Sequence, residues 1–75
     1  MLNEADRKYL IDLGLRIAEL RQAKGVDQKQ FAFECAISRT QLYMIETGKT
    51  NPRVLTLDRI AEGLDMRLSE LLNVG

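Results

Sequence analysis

The side chains with the widest hydrogen-bonding reach sit close together in the middle of the chain. Gln28, Ser38, Arg39, Thr40, Gln41, Tyr43, Thr47, Lys49 and Asn51 all fall between the first third and the single proline, Pro52. Guanidinium and amide groups present paired hydrogen-bonding atoms, which suits recognition of a polar edge. The residues that bond-breaking chemistry needs are missing. There is no histidine, which excludes His-based zinc sites and Ser-His or Cys-His nucleophile pairs. There is no glycine-rich phosphate loop and no cluster of carboxylates, so the sequence does not read as an enzyme, and no cofactor or metal is expected. The one cysteine, Cys35, rules out an internal disulfide. It lies on an apolar helix face, where core packing is the expected role.

These side chains must be positioned by helices. Val, Ile and Thr are scattered without alternation, and the apolar residues recur at helical spacing throughout. The first helix is predicted over Glu4 to Lys24, capped by Asn3 with Asp6 in its first turn, and Leu10, Leu13, Ile17 and Leu20 form one face. Gly25 suits a left-handed helix end. Asp27 caps a second helix, with Gln30 three positions on and Phe31, Ala32 and Cys35 facing inward. Ser38 opens a third, with Gln41 at the same spacing, Leu42 and Ile45 inward, and Gly48 at its end. Lys49 to Leu55 reads as a loop. A fourth helix over Thr56 to Gly63 buries Leu57, Ile60 and Ala61, and a fifth over Arg67 to Asn73 buries Leu68, Leu71 and Leu72. Ile11, Leu15 and Ala18 make a second stripe on the first helix, expected to pack on the fifth, with a dimer interface as the alternative. Leu2 and Tyr9 extend the main stripe.

The chain has 75 residues, enough for one small domain that buries roughly 60% of its unfolded surface. Eleven basic and eleven acidic residues give no net charge, so any basic surface must come from local placement. Arg39 to Arg53 holds three basic residues and one acid, Glu46, whereas from Val54 onward there are four acids and two basic residues. No apolar run approaches the ~20 residues that span a bilayer, and no secretory signal opens the chain. A reduced cytoplasmic setting is expected.

The decisive pattern is the joint at Ala36-Ile37, where two capped helices meet with almost no loop, the helix-turn-helix spacing. Around it run Ile17-Ala18-Glu19-Leu20-Arg21, Lys24-Gly25, Asp27-Gln28-Lys29-Gln30-Phe31-Ala32, Ala36-Ile37-Ser38-Arg39, Leu42 through Pro52, and Leu57-Asp58-Arg59-Ile60-Ala61. From about Leu13 to Leu72 the sequence resembles the phage repressor and Cro family, also called the XRE family. The resemblance implies an all-α, compact five-helix bundle: a single lambda-repressor-like DNA-binding domain over residues 1–75, with its helix-turn-helix unit at about 28–47. It implies that the helix opened by Ser38 enters the major groove of duplex DNA. Arg39, Thr40, Gln41, Tyr43 and Met44 would then face the bases, and Gln28, Ser38, Thr47, Lys49 and Asn51 would touch phosphates. Physical chemistry agrees: arginine pairs with guanine and glutamine with adenine through two hydrogen bonds, and helix N-termini suit phosphate. The family also pairs Arg21 with Glu46, which would spare the DNA face one negative charge.

Four positions depart from the family pattern. Ala36 stands where glycine is usual, and a left-handed alanine costs roughly 1–2 kcal/mol. Asp27 replaces Thr or Ser at a cap near phosphate. Asp65 and Arg67 make the joint between the fourth and fifth helices uncertain. The expected function is a sequence-specific transcriptional regulator, a repressor or controller, binding a pseudo-palindromic operator as a homodimer in a bacterial or phage setting. The alternative is a protein-interaction module of the same fold that has lost DNA binding. Operator, effector and regulator type (stand-alone, antitoxin, restriction-modification controller or part of a longer repressor) are not written in the sequence.

Overall fold

A computed structural model describes residues 1–74. Those residues form five helices and no strand: α1 Glu4–Ala23, α2 Gln28–Glu34, α3 Arg39–Glu46, α4 Val54–Gly63 and α5 Leu68–Leu72. None is long and apolar enough to cross a membrane.

The helix starts follow from local chemistry. Asn3 Oδ1 accepts the Asp6 amide at 2.8 Å, and the Asn3 amide donates back to Asp6 Oδ2 at 3.3 Å. Asp27 Oδ1 accepts the Gln30 amide at 2.8 Å. Such caps satisfy amides that the helix itself leaves unpaired. The start of α4 differs from expectation. Val54 and Leu55, read as loop, are already helical, because the helix opens at Arg53, which makes no side-chain cap and so leaves no signal in the sequence. Towards the C-terminus, α5 is one residue shorter at each end than expected.

The core gathers Leu13 and Ile17 of α1, Phe31 and Ala32 of α2, Leu42 and Ile45 of α3, Leu57, Ile60 and Ala61 of α4, and Leu71 of α5, with Cys35 among them. Leu68 and Leu72 are only partly buried against it. Tyr9 reaches the far end of the chain, its hydroxyl donating to the Leu72 carbonyl at 2.6 Å. The second stripe of α1 does not pack on α5. Ile11 and Leu15 stand 52% and 56% exposed, because Tyr9 and Arg16, on a different side of α1, make that contact instead.

The α2–α3 joint is left-handed at Ala36, with φ of 59°. The Ala36 amide donates to the Phe33 carbonyl and the Ile37 amide to that of Ala32, which closes off α2. The joint between α4 and α5 repeats this geometry. Asp65 has φ of 58°, and the Asp65 and Met66 amides donate to the Glu62 and Ala61 carbonyls. Every equivalent position is shifted by 29 residues, with Ala32 matching Ala61 and Leu42 matching Leu71. The two glycine-less turns thus have the ordinary shape, and the alanine at the first is the one under strain. Ala36→Gly should stabilise the domain by about 1 kcal/mol, since glycine removes the left-handed clash. Denaturant melts of both proteins measure it, and a loss of stability would contradict it.

Candidate nucleic-acid interface

The rotation of α3 about its axis decides which side chains are available. Leu42 is fully buried and Ile45 nearly so, so Arg39, Thr40, Gln41 and Tyr43 are exposed on the opposite side and Met44 is half-buried. Ser38 holds the start of this helix. Its Oγ accepts the Gln41 amide at 3.0 Å, and its own amide donates to Gln41 Oε1 at 2.9 Å. Gln41 therefore offers its amide nitrogen outward while its oxygen serves the cap.

The far end of α3 is fastened from inside. Arg21 Nε and one terminal nitrogen donate to the two oxygens of Glu46 at 2.7 and 3.1 Å, and the other terminal nitrogen donates to the Val26 carbonyl at 2.8 Å. Gln28 adds its amide to Glu46 Oε1 at 2.9 Å. This fork joins α1, the start of α2 and the end of α3 through one carboxylate. A bidentate pair of this kind fixes orientation as well as charge. It also removes the only acid of the Arg39 to Arg53 segment from the open surface. Gln28 is thus half-buried and committed to Glu46 through one end of its amide.

Thr47 turns its hydroxyl back onto the Tyr43 carbonyl at 2.7 Å. The Lys49 ammonium lies 3.4 Å from the Tyr43 hydroxyl and 5.2 Å from the ring centroid, so Lys49 and Tyr43 form one unit at the end of α3. Asn51 is exposed in the following loop. Between α3 and the start of α4 runs an open groove, lined by Thr40, Gln41 and Met44 on one side and by Asn51, Pro52, Arg53 and Arg59 on the other. Arg53 and Arg59 had no assigned role in the sequence reading. The signal for Arg53 was its charge next to Pro52, while that for Arg59 depends on α4 lying alongside α3. Cys35 packs in the core behind this surface. Burial above all, then the neighbouring Glu34 carboxylate, against a weaker pull from Lys24, pushes its thiol up to about 11, so it stays protonated at neutral pH.

The family model described as Helix-turn-helix (HTH_3) matches residues 17–71. The chain belongs to this helix-turn-helix family. The HTH_3 match includes α2, α3, α4 and the Arg21–Glu46 fork. Control protein C.MunI of Mycoplasma sp is 36% identical over 64 residues, covering 84% of this chain and 86% of that protein. A protein of Sinorhizobium fredii described as the uncharacterized HTH-type transcriptional regulator y4dJ is 33% identical over 60 residues, covering 80% of this chain and 78% of its own. Among solved structures, the restriction-modification controller protein C.AhdI of Aeromonas hydrophila superposes with a TM-score of 0.80 at 34% identity, covering 83% of this chain and 94% of C.AhdI. With this family and these relatives, the HTH_3 protein described here is a DNA-binding transcriptional regulator and not an enzyme.

Proposed function

We propose that this regulator reads operator DNA with α3 in the major groove, as a homodimer whose two reading helices engage successive turns about 34 Å apart. The observation that carries this is the fixed rotation of α3: Leu42 and Ile45 are held in the core, so Arg39, Thr40, Gln41, Tyr43 and Met44 face outward together. Arg39, in the first turn, donates two hydrogen bonds to a guanine, and Met44 and Tyr43 offer apolar contact to thymine methyls. Lys49 and Asn51 hold phosphates beside the loop, Ser38 does so at the start of α3, and Thr47 at its end. Gln28, already fastened to Glu46, presents the start of α2 to the DNA backbone. The protein works in the cytoplasm. The likeness to C.MunI and C.AhdI over most of their lengths favours a role as a restriction-modification controller among the possible regulator types.

The rival reading is a domain that kept the fold and lost DNA binding, and the zero net charge and Asp27 favour it. Salt separates the two. Binding to duplex DNA through cations releases condensed counterions, so affinity should fall by orders of magnitude from about 50 to 200 mM salt. Titration of a random duplex and of the DNA upstream of the protein's own gene measures this. No salt-sensitive binding to either would favour the interaction module.

A further inference from the structure

We propose that Gln41 reads its base pair as a hydrogen-bond donor only, so that the operator carries a keto base, guanine above thymine, where Gln41 meets it. The inference rests on the reading above that α3 enters the major groove, and it says what one of the facing side chains selects. Gln41 is exposed and lines the groove beside α3 together with Thr40 and Met44. Its carboxamide is not free to turn. The Ser38 backbone amide donates to Gln41 Oε1 at 2.9 Å, while the Gln41 backbone amide donates to Ser38 Oγ at 3.0 Å. A backbone N–H can only donate, so the side-chain atom that faces it must be the oxygen. The amide nitrogen, with its two hydrogens, is the end that remains.

That geometry conflicts with the usual pairing of glutamine and adenine. The usual pairing takes both ends of the amide, the nitrogen donating to N7 and the oxygen accepting from N6. Gln41 Oε1 could turn to N6 only by leaving the Ser38 amide, which would undo half of the capping box at the start of α3. An amide that stays on its cap offers N–H groups alone. Guanine meets them with two adjacent acceptors, O6 and N7, and thymine with O4. Adenine and cytosine each place an amino group on the same edge, donor against donor. The neighbouring side chains have the same polarity. Arg39 has donors and no acceptor. The one acid of α3, Glu46, is buried with Arg21 at 2.7 Å. The Lys49 ammonium lies 3.4 Å from the Tyr43 hydroxyl, and an ammonium can only donate, so that oxygen is the acceptor.

Binding selection from randomised duplexes tests the proposal on the parent protein, Gln41→Glu and Gln41→Met. The parent should select a keto base at one position of each half-site, by about tenfold over adenine. Gln41→Glu keeps an oxygen for the Ser38 amide, as the capping box requires, so its melting curve should match the parent's. Its outward atom becomes an acceptor. The preference at that position should move to cytosine or adenine while every other position stays as in the parent, and the added charge should weaken binding to all sequences alike. Gln41→Met offers no hydrogen bond and should flatten that position alone. Adenine selected by the parent at the position that Gln41→Met flattens would overturn the proposal. So would a Gln41→Glu protein that keeps the parent's keto base, or a Gln41→Met protein with every preference unchanged. In each of these cases α3 still reads an operator, so the functional reading stands. A parent protein that prefers no sequence would overturn that reading and this inference together.

Discussion

Replacing Gly14 by alanine should lower the melting temperature by about 10 °C or more, at a cost of roughly 2–3 kcal/mol. On an exposed helix the same change would stabilise by about 1 kcal/mol, because alanine is the better helix former. Here α1 crosses α3 so closely that an added Cβ would strike the Ile45 carbonyl oxygen and lie 2.6 Å from the Glu46 oxygen. Both obstacles are backbone, so no rotamer change relieves them, and the two helices must move apart. That movement also pulls Glu46 away from Arg21, loosening the fork that orients α3. A domain of this length holds roughly 4–11 kcal/mol in total, so the loss is a large fraction of its stability. Thermal melts followed by circular dichroism measure it, and an unchanged or raised melting temperature would show that the crossing is looser than described.

Removing one side of the Arg21–Glu46 fork should cost more than removing both. Glu46→Ala leaves a guanidinium buried with only the Val26 carbonyl to accept from it, and it deprives Gln28 of its acceptor. Breaking a buried pair in this way typically costs about 3–5 kcal/mol, whereas replacing both partners by apolar groups of similar size is often close to neutral. Arg21→Met combined with Glu46→Leu should therefore recover most of what either single change loses. A double-mutant cycle from denaturant titrations gives the coupling energy. Additive losses would mean that the two groups do not depend on each other. In the proposed DNA complex the fork also bears on function, because Gln28, proposed to meet the backbone, is held by Glu46.

What the sequence made legible was decided within a few residues. Asn3 with Asp6, Asp27 with Gln30 and Ser38 with Gln41 are caps whose partners lie three positions apart, so their spacing alone announces a helix start. The inward pair Leu42 and Ile45 likewise fixed the open side of α3 through periodicity. Arg53 caps nothing with its side chain, so the start of α4 was read late. Gly14 carries no local signal, since its reason lies in a carbonyl more than thirty residues away. Asp65 seemed to spoil the last joint, yet a short polar side chain tolerates the left-handed region, and the turn closes as its counterpart at Ala36 does. The exposure of Ile11 and Leu15 was missed for the same reason as Gly14, since spacing tells which residues share a face and not what covers it.

In the proposed complex α3 reads bases and the loop after it holds the backbone. Binding selection from randomised duplexes tests it, run in parallel on the parent protein, Arg39→Ala and Lys49→Ala. Arg39 is exposed in the first turn of α3, and its guanidinium can donate to the O6 and N7 of one guanine. Its loss should cost roughly 1–3 kcal/mol on the selected operator and relax the preference at one base pair per half-site. Lys49, beside Tyr43 at the end of α3, should instead weaken binding to all sequences about equally and make the salt dependence shallower. If Arg39→Ala keeps every base preference of the parent and only binds more weakly, Arg39 touches the backbone, and α3 does not enter the groove as described.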